Sequence, residues 1–226
     1  HYSDIYIKSQ RLICRLNTSR HKDGRMRFSE INEAVANNTV VFYGGRFQPM
    51  HVAHRQVYQH LVDKFGAANV FIATTFSQKA AKAHAMKDFS NDPFTFDEKK
   101  SIMSKMHGIP ANKIVNTNPY RPDPNAVGRD PNTTAVVIVY SAKDAGRLQT
   151  GGALQPYKDG ELQPTSEVAA YVYVAPEMEG GMSATTFRQT MMGTDDNAKK
   201  QVFQKFFGKF DQGVYDFINR RLSSAD

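Results

Sequence analysis

Five short runs of apolar, mostly β-branched or aromatic residues recur after residue 38, and stretches with helical spacing separate several of them. The runs are TVVFYGG (39–45), NVFIATT (69–75), KIVNT (113–117), TAVVIVYS (134–141) and VAAYVYVAP (168–176). Nearly continuous apolar runs are typical of strands buried on both faces of a parallel sheet, which needs crossover helices between its strands. The pattern therefore predicts an α/β fold with a doubly wound, parallel, five-stranded sheet.

The first 37 residues differ from this pattern. The segment RLNTSRHKDGRMRF (15–28) is polar and basic and has no clear period. We interpret residues 1–37 as an N-terminal extension that is dispensable for the chemistry, and residues 38–226 as one domain that includes the C-terminal helices. A chain of 226 residues is long enough to bury a core of its own.

Composition narrows the class of ligand and the compartment. Lys and Arg exceed Asp and Glu by seven, and this surplus favours anionic ligands. The basic residues are spread along the chain, so we expect no nucleic-acid partner. A single cysteine, Cys14, and the absence of a long apolar segment predict a cytoplasmic protein that does not insert into a membrane. The sequence leaves homo-oligomerisation open.

The segment YGGRFQPMHVAH (43–54) carries the clearest chemical signal. Gly44 and Gly45 allow positive φ and a close approach of backbone N–H groups to a ligand. Pro49 suits a first helical turn, so we expect a helix to begin near it and to point its positive end at the glycines. His51 and His54 would lie on one side of that helix and reach the same anion. Spacing alone also permits two surface or core histidines, or half of a zinc site.

Together with two further segments, this stretch resembles the signatures of a known enzyme family. GRFQPMHVAH (45–54) resembles the GxFxPxHxGH signature of the nucleotidyltransferases with the HxGH motif, and its GRFQP spelling is similar to their nicotinamide-mononucleotide adenylyltransferase branch. MSATTFR (182–188) fits the family's later I-S-x-T-x-x-R signature, and NDPFTFDEK (91–99) is similar to the N-P-F-T stretch of the same branch. The resemblance spans roughly residues 39–192 and implies a Rossmann-like fold of the HxGH nucleotidyltransferase type.

The resemblance implies an activity and a set of site residues. A nucleotidyl group would pass from a nucleoside triphosphate to a small phosphate-bearing acceptor with release of pyrophosphate, and the branch spelling favours ATP and nicotinamide mononucleotide, which give NAD. His51, His54 and Arg188 would be catalytic, because donors to phosphate oxygens stabilise the growing charge. The nucleotide contacts implied are Gly44, Gly45, Arg46, Phe47, Gln48, Ser183 and Thr185. Mg²⁺ would accompany the triphosphate, held by phosphate oxygens and water, with no metal ligand from the protein.

Three alternatives stay open. Cytidylyltransferase and pantetheine-phosphate adenylyltransferase activities share the first motif's chemistry. A catalytically weak nucleotide-binding or assembly module is a third possibility, because Ala53 replaces the glycine of the HxGH motif and adds a methyl group where a nucleotide would lie close.

Three further charged residues follow the fourth run, namely Lys143, Asp144 and Arg147. They could line the crevice beyond the carboxyl ends of the strands, although ordinary loop charge explains them equally well.

Overall fold

The computed structural model describes residues 34–141 and 154–223. The described strands are β1 (Asn38–Gly44), β2 (Val70–Thr74), β3 (Ile114–Asn116), β4 (Thr134–Ser141), β5 (Leu154–Pro156) and β6 (Ala170–Ala175). They form one sheet in the order β3-β2-β1-β4-β6-β5, and every neighbouring pair is parallel. The predicted α/β fold with a parallel, Rossmann-like sheet is confirmed. The sheet has six strands rather than five, because the three-residue β5 adds an edge strand.

The described α-helices are α1 (Val52–Phe65), α2 (Gln78–Ala85), α3 (Phe96–His107), α4 (Ala184–Met192), α5 (Asp196–Phe207) and α6 (Gln212–Ser223). Side chains of α1 and α3 pack on one face of the sheet, where Val57, Leu61 and Met103 contact the buried side chains of the central strands. Phenylalanines of α4 and α5 form a second core with α3 and α6. None of the helices in the described ranges is both long and apolar enough to cross a membrane.

Strand order reverses between β1 and β4, which are neighbours at the centre of the sheet. The chain extends outward through β2 and β3 on one side and through β6 and β5 on the other. Loops that follow neighbouring strands therefore diverge at this point and leave a crevice beyond the carboxyl ends of β1 and β4. The predicted motifs follow β1 and β6, so the fold brings both of them to this edge.

Most of the predicted N-terminal extension, residues 1–33, lies outside the described residues. Residues 34–37 are described, and two of their backbone N–H groups bond to the domain: Ala36 donates to the carbonyl of Leu162 at 2.7 Å, and Asn37 donates to that of Thr133 at 2.9 Å. The predicted crevice residues Lys143, Asp144 and Arg147 also lie outside the described residues.

Candidate active site

The glycine pair at the end of β1, Gly44 and Gly45, is required by close neighbours. A Cβ atom on Gly44 would lie 2.4 Å from the carbonyl oxygen of Pro119, and one on Gly45 would lie 2.7 Å from the ring of Phe47. Neither glycine has a positive φ, so the sequence prediction is wrong on that point. The positive φ of this loop is at Phe47, at 46°. Close packing, not left-handed backbone, explains both glycines.

The two histidines cap the helix that carries them. His51 is the N-cap of α1, so the helix begins at Val52 and not near Pro49, which follows Gln48 through a cis peptide bond. The N–H of His54 donates to Nδ1 of His51, and the N–H of His51 donates to Nδ1 of His54, both at 3.4 Å. The rings stack with centroids 3.6 Å apart. The expectation that both histidines lie on one side of the helix is confirmed.

This reciprocal cap sets the protonation of both rings. Each Nδ1 accepts a backbone hydrogen bond, so the ring proton of each neutral imidazole is on Nε2. Burial, with a smaller contribution from His107, lowers the pKa of His51 to about 4. Burial lowers the pKa of His54 to about 3, with added repulsion from His51 and His107. Both rings are therefore neutral Nε2–H donors at pH 7.

Two phenylalanine rings bracket the histidine pair. The ring of Phe47 meets His54 edge to face with centroids 5.2 Å apart, and the ring of Phe206, from α5, meets His51 in the same way at 5.5 Å. Both phenylalanines are buried. The four rings pack in the order Phe47–His54–His51–Phe206, which restrains the imidazole planes and contributes to the burial that lowers the pKa of both histidines.

Ala53 faces a glycine. A Cβ atom placed on Gly181 would lie 3.2 Å from the Cβ of Ala53, so the methyl group occupies space that Gly181 leaves empty. Ala53 is buried, with 6% of its surface exposed. The motif's change from glycine to alanine is thus matched by a small residue on the opposite wall.

The second motif forms the start of α4. Ser183 is the N-cap: its Oγ accepts from the N–H of Thr186 at 3.1 Å and is 2.8 Å from the hydroxyl of that residue. Backbone N–H groups of a first helical turn have no acceptor within the helix, and those of Ala184 and Thr185 belong to this group. The α4 N-terminus therefore offers two N–H groups and its positive dipole end to an anion.

Arg188 is buried and largely engaged by the protein. Its Nε donates to the carbonyl of Ser90 at 2.9 Å, its Nη1 to that of Gln48 at 2.7 Å, and its Nη2 to Thr185 Oγ1 at 3.4 Å. Three of the five guanidinium N–H groups are thereby used, and one on each Nη remains. Burial is the main cause that lowers the pKa of Arg188.

Two other motif residues brace the loop. Both ends of the Gln48 amide bind the backbone of Phe94. Its Nε2 donates to the Phe94 carbonyl and its Oε1 accepts from the Phe94 N–H, each at 3.0 Å. Arg46 pairs with Asp92 at 2.9 Å and is the more exposed partner. These contacts join the first motif to the N-D-P-F stretch that precedes α3.

Adjoining cavities open at the carboxyl edge of the sheet. The central cavity, of about 410 Å³, lies between residues 43–49, His54 and the start of α4. The α1 cavity, of about 520 Å³, shares Tyr43, His54 and Ser141 with it and continues along α1. The central cavity brings together most of the predicted site residues, namely Gly44, Gly45, Arg46, Phe47, Gln48, His54, Thr185 and Arg188. The predicted residues His51 and Ser183 line the α1 cavity instead.

A further cavity lies on the other side of the glycine loop. This α2 cavity, of about 410 Å³, shares Gly45, Arg46 and Tyr120 with the central cavity and reaches the start of α2. The ring of Tyr120 is 60% exposed and stacks on the ring of Tyr140, with centroids 6.4 Å apart and an angle of 20°. The central cavity therefore adjoins both the α1 cavity and the α2 cavity.

Two buried residues near the site had no predicted role. Lys99 and His107 are 1% and 6% exposed, and both lie on α3. The sequence held a signal for Lys99, since it falls three residues after Phe96 and three before Ile102, on the apolar side of the helix. Nε2 of His107 donates to the carbonyl oxygen of Met50 at 3.0 Å, and its Nδ1 is buried with no partner among the described residues. A carbonyl only accepts, so the proton of His107 is on Nε2.

No family model matches the sequence, and no curated protein matches it significantly. Among solved structures, the chain is similar to a bifunctional NMN adenylyltransferase/ADP ribose pyrophosphatase from Francisella tularensis complexed with AMP and an Mn ion, at 15% identity and a TM-score of 0.49. The match covers 83% of this chain and 51% of that one, so the chain spans about half the length of that structure. A Plasmodium falciparum nicotinic acid mononucleotide adenylyltransferase shows 12% identity and a TM-score of 0.44, with 83% and 97% covered. A putative nicotinate-nucleotide adenylyltransferase from Vibrio parahaemolyticus shows 12% identity and a TM-score of 0.39, with 79% and 95% covered.

Proposed function

We propose that the protein is a nucleotidyltransferase that transfers an adenylyl group from ATP to nicotinamide mononucleotide and releases pyrophosphate. The observation that carries the proposal is the convergence of the neutral donor His54, the α4 N-terminus and Arg188 on one cavity beyond the carboxyl edge of a parallel sheet. These groups are the donors that phosphoryl oxygens need, and they come from separate elements that the fold holds in position.

The cavities suggest how the nucleotide would lie. The central cavity, with the α4 N-terminus and Arg188, suits a triphosphate. The α1 cavity has apolar walls, which include Ala53, Val57 and Met178, and it suits a nucleoside. His54 lines both cavities, so its Nε2–H would face the phosphorus next to the nucleoside, where the reaction occurs.

The α2 cavity suits the acceptor. It meets the central cavity at Arg46, whose guanidinium can pair with an acceptor phosphate. Tyr120 presents an exposed, flat ring at the same junction. A flat aromatic face favours a flat acceptor ring such as nicotinamide over the flexible chain of pantetheine phosphate.

The proposed reaction needs no nucleophilic side chain. An oxygen of the ionised acceptor phosphate attacks the α-phosphorus of ATP, and a new P–O bond forms. The bond from that phosphorus to the bridging oxygen of the β-phosphate breaks, and its electron pair leaves with pyrophosphate. Negative charge grows on the α-phosphoryl oxygens and the leaving group, where the Nε2–H groups of His51 and His54 and the free N–H groups of Arg188 would donate.

Mg²⁺ fits this site only as a companion of the triphosphate. Among residues 34–141 and 154–223, no cluster of three or more His, Cys, Asp or Glu side chains could hold a metal ion. The ion would be coordinated by phosphate oxygens and water and would neutralise part of the triphosphate charge. The residues of this chain would bind and orient the phosphates around it.

The proposal is tested by pyrophosphate release from ATP and CTP, each with nicotinamide mononucleotide and with pantetheine phosphate. We expect release with ATP and nicotinamide mononucleotide, and formation of NAD in equal amount. Release only with CTP or only with pantetheine phosphate would replace the substrate assignment. ATP binding without release under any of the four conditions would favour the nucleotide-binding module.

A further inference from the structure

Lys99 is the most completely buried charged side chain in the described part of the chain, and it lies beneath the glycine loop. Its Nζ donates to Thr74 Oγ1 at 2.7 Å, to the carbonyl of Thr75 at 2.9 Å and to the carbonyl of Arg46 at 3.2 Å. Three acceptors satisfy all three N–H groups of an ammonium. Lys99 thus joins the end of β2 to the loop after β1.

All three of these acceptors are neutral oxygens. The opposite charge that acts on Lys99 is that of Asp92, which already pairs with Arg46. Burial lowers the pKa of Lys99 to about 8, with Asp92 opposing and Arg46 reinforcing the shift. A buried ammonium without a carboxylate partner is costly, and a nearby anion would stabilise it.

The position of this charge indicates where an anion would bind. Arg46 and Thr75, which accept from Lys99, line the α2 cavity, and Arg46 also lines the central cavity. The ammonium therefore bonds to the carbonyls of residues that line these cavities. A fixed charge in such a buried position acts on a nearby anion with little screening by water.

We propose that Lys99 is a positioning residue for phosphate groups, which shapes the glycine loop and supplies fixed positive charge beneath the two cavities where phosphates meet. This inference rests on the proposed function, since it takes the anion to be the phosphates of the two substrates. Lys99 touches neither substrate in this arrangement and acts through the Arg46 and Thr75 carbonyls and through its charge.

The proposal makes binding depend on pH in a defined direction. A bound phosphate favours the ammonium form, so it raises the pKa of Lys99 and binding takes up protons near pH 8. Affinity should then fall as pH rises from 7 to 9. The charged groups that act on Lys99 are Asp92 and Arg46 on the loops. Next to these two lie Arg188 on α4 and His84 on α2, and Glu98, which precedes Lys99 in the sequence of α3, pairs with Arg221.

The experiment is isothermal titration calorimetry of the full chain with MgATP at pH 7, 8 and 9, in buffers of different ionisation enthalpy. The variants are Lys99→Met, which removes the charge, and Lys99→Arg, which keeps it at every pH. Lys100→Met is the matched control, because it removes a charge from the same helix at a half-buried position beside Phe96. Thermal melts report whether each variant folds.

We expect Lys99→Met to weaken MgATP binding on the order of tenfold at pH 7 and to abolish the proton uptake near pH 8. Lys99→Arg should bind with an affinity that does not change from pH 7 to 9, and Lys100→Met should behave as wild type. Wild-type binding without proton uptake, or a folded Lys99→Met with wild-type affinity, would overturn this inference alone. No binding of MgATP to wild type at any pH would instead contradict the proposed function.

If Lys99→Met fails to fold, the wild-type and Lys99→Arg titrations still decide the matter. Uptake of protons by wild type but not by Lys99→Arg supports the proposal, since arginine stays charged throughout this range. Equal proton uptake by the two proteins rules it out, because another group would then be responsible.

Discussion

At the scale of single residues, the histidine pair combines two tasks that use different atoms. Nδ1 of each ring caps α1, and Nε2–H of each ring remains for a ligand. A neutral donor does not neutralise a phosphate in the ground state, but its hydrogen bond strengthens as negative charge grows on the acceptor. The geometry thus indicates that the two histidines would stabilise the transition state more than they would strengthen substrate binding.

Replacing His54 and replacing Arg188 should consequently change the kinetic constants in different ways. We expect His54→Ala to lower kcat by a factor on the order of 10² to 10³ with a smaller change in KM, as when one oxyanion donor is removed. Arg188→Ala should raise the KM for ATP and also lower stability, since the carbonyls of Gln48 and Ser90 lose a buried donor. Steady-state kinetics and thermal melts on both variants measure these effects.

One companion variant and one control measurement make the comparison more specific. Arg188→Lys should recover only part of the affinity, because one ammonium cannot replace a fork that bonds to two loops and a ligand. Circular dichroism of His54→Ala checks that α1 survives the loss of one cap bond. A folded His54→Ala with near wild-type kcat would mean that His54 has a capping role only.

At the scale of helices and strands, the apolar runs predicted five of the six described strands. Strands β1, β2, β3, β4 and β6 lie in those runs, and helix α3 begins at a Thr95–Glu98 capping box that is readable in the sequence. Strand β5 lies outside those runs, because Leu154–Pro156 shows no apolar pattern of its own. Helix α2 is likewise not marked by an apolar run, although Ser77 caps it and its residues favour helix.

The start of α1 was mispredicted for a chemical reason. Histidine is not among the usual N-cap residues, so propensity moved the expected start to Pro49. In the structure two imidazoles perform the exchange that Ser and Glu make in an ordinary capping box. The two motifs predicted most of the residues that meet at the central and α1 cavities, whereas the tertiary contacts of Lys99 and Phe206 have no local signature.

The contact between α5 and α1 should matter for turnover beyond its value for stability. Phe206 and Phe203 are both buried in the second core, but only Phe206 touches His51. Replacing either with Leu should cost about 1 kcal/mol or more of stability through lost packing. We expect only Phe206→Leu to lower kcat as well, by several fold, because His51 loses one of its bracketing rings.

Chemical denaturation and kinetics on the two leucine variants compare these effects directly. The KM for ATP should stay near the wild-type value in both, since neither ring lines the central cavity. An equal loss of kcat in the two variants would show that α5 affects turnover only through general stability.

At the scale of the whole molecule, three buried neutral histidines make the fold sensitive to acid. The pKa values of His51, His54 and His107 are lowered, to about 4, 3 and 4, mainly by burial. Unfolded histidines titrate near 6.5, so below that pH the unfolded chain binds more protons than the native one. The stabilisation is fully present above about pH 6.5 and is lost as pH falls toward 4.

We therefore expect the free energy of unfolding to decrease steadily between pH 6.5 and 4.5, which lies above the range in which most Asp and Glu side chains titrate. His107→Gln is the diagnostic variant, because glutamine can still donate to the Met50 carbonyl but does not titrate. Its slope should be smaller by about 1.4 kcal/mol per pH unit, which is the contribution of one proton. Urea denaturation across this range measures both slopes, and identical slopes would show that His107 is not buried in its neutral form.

The way the site is braced also bears on how such a sequence can diverge. Four side chains tie its loops together, namely Gln48, Lys99, His107 and Arg188, and most of the atoms they bind belong to the main chain. A main-chain carbonyl is present whichever residue occupies the position, so mutations can replace the partner residues while the braces persist. The loops around this site can accordingly accumulate substitutions faster than its geometry changes. Distant relatives of this chain should be sought by those four side chains and the two short motifs, not by overall identity.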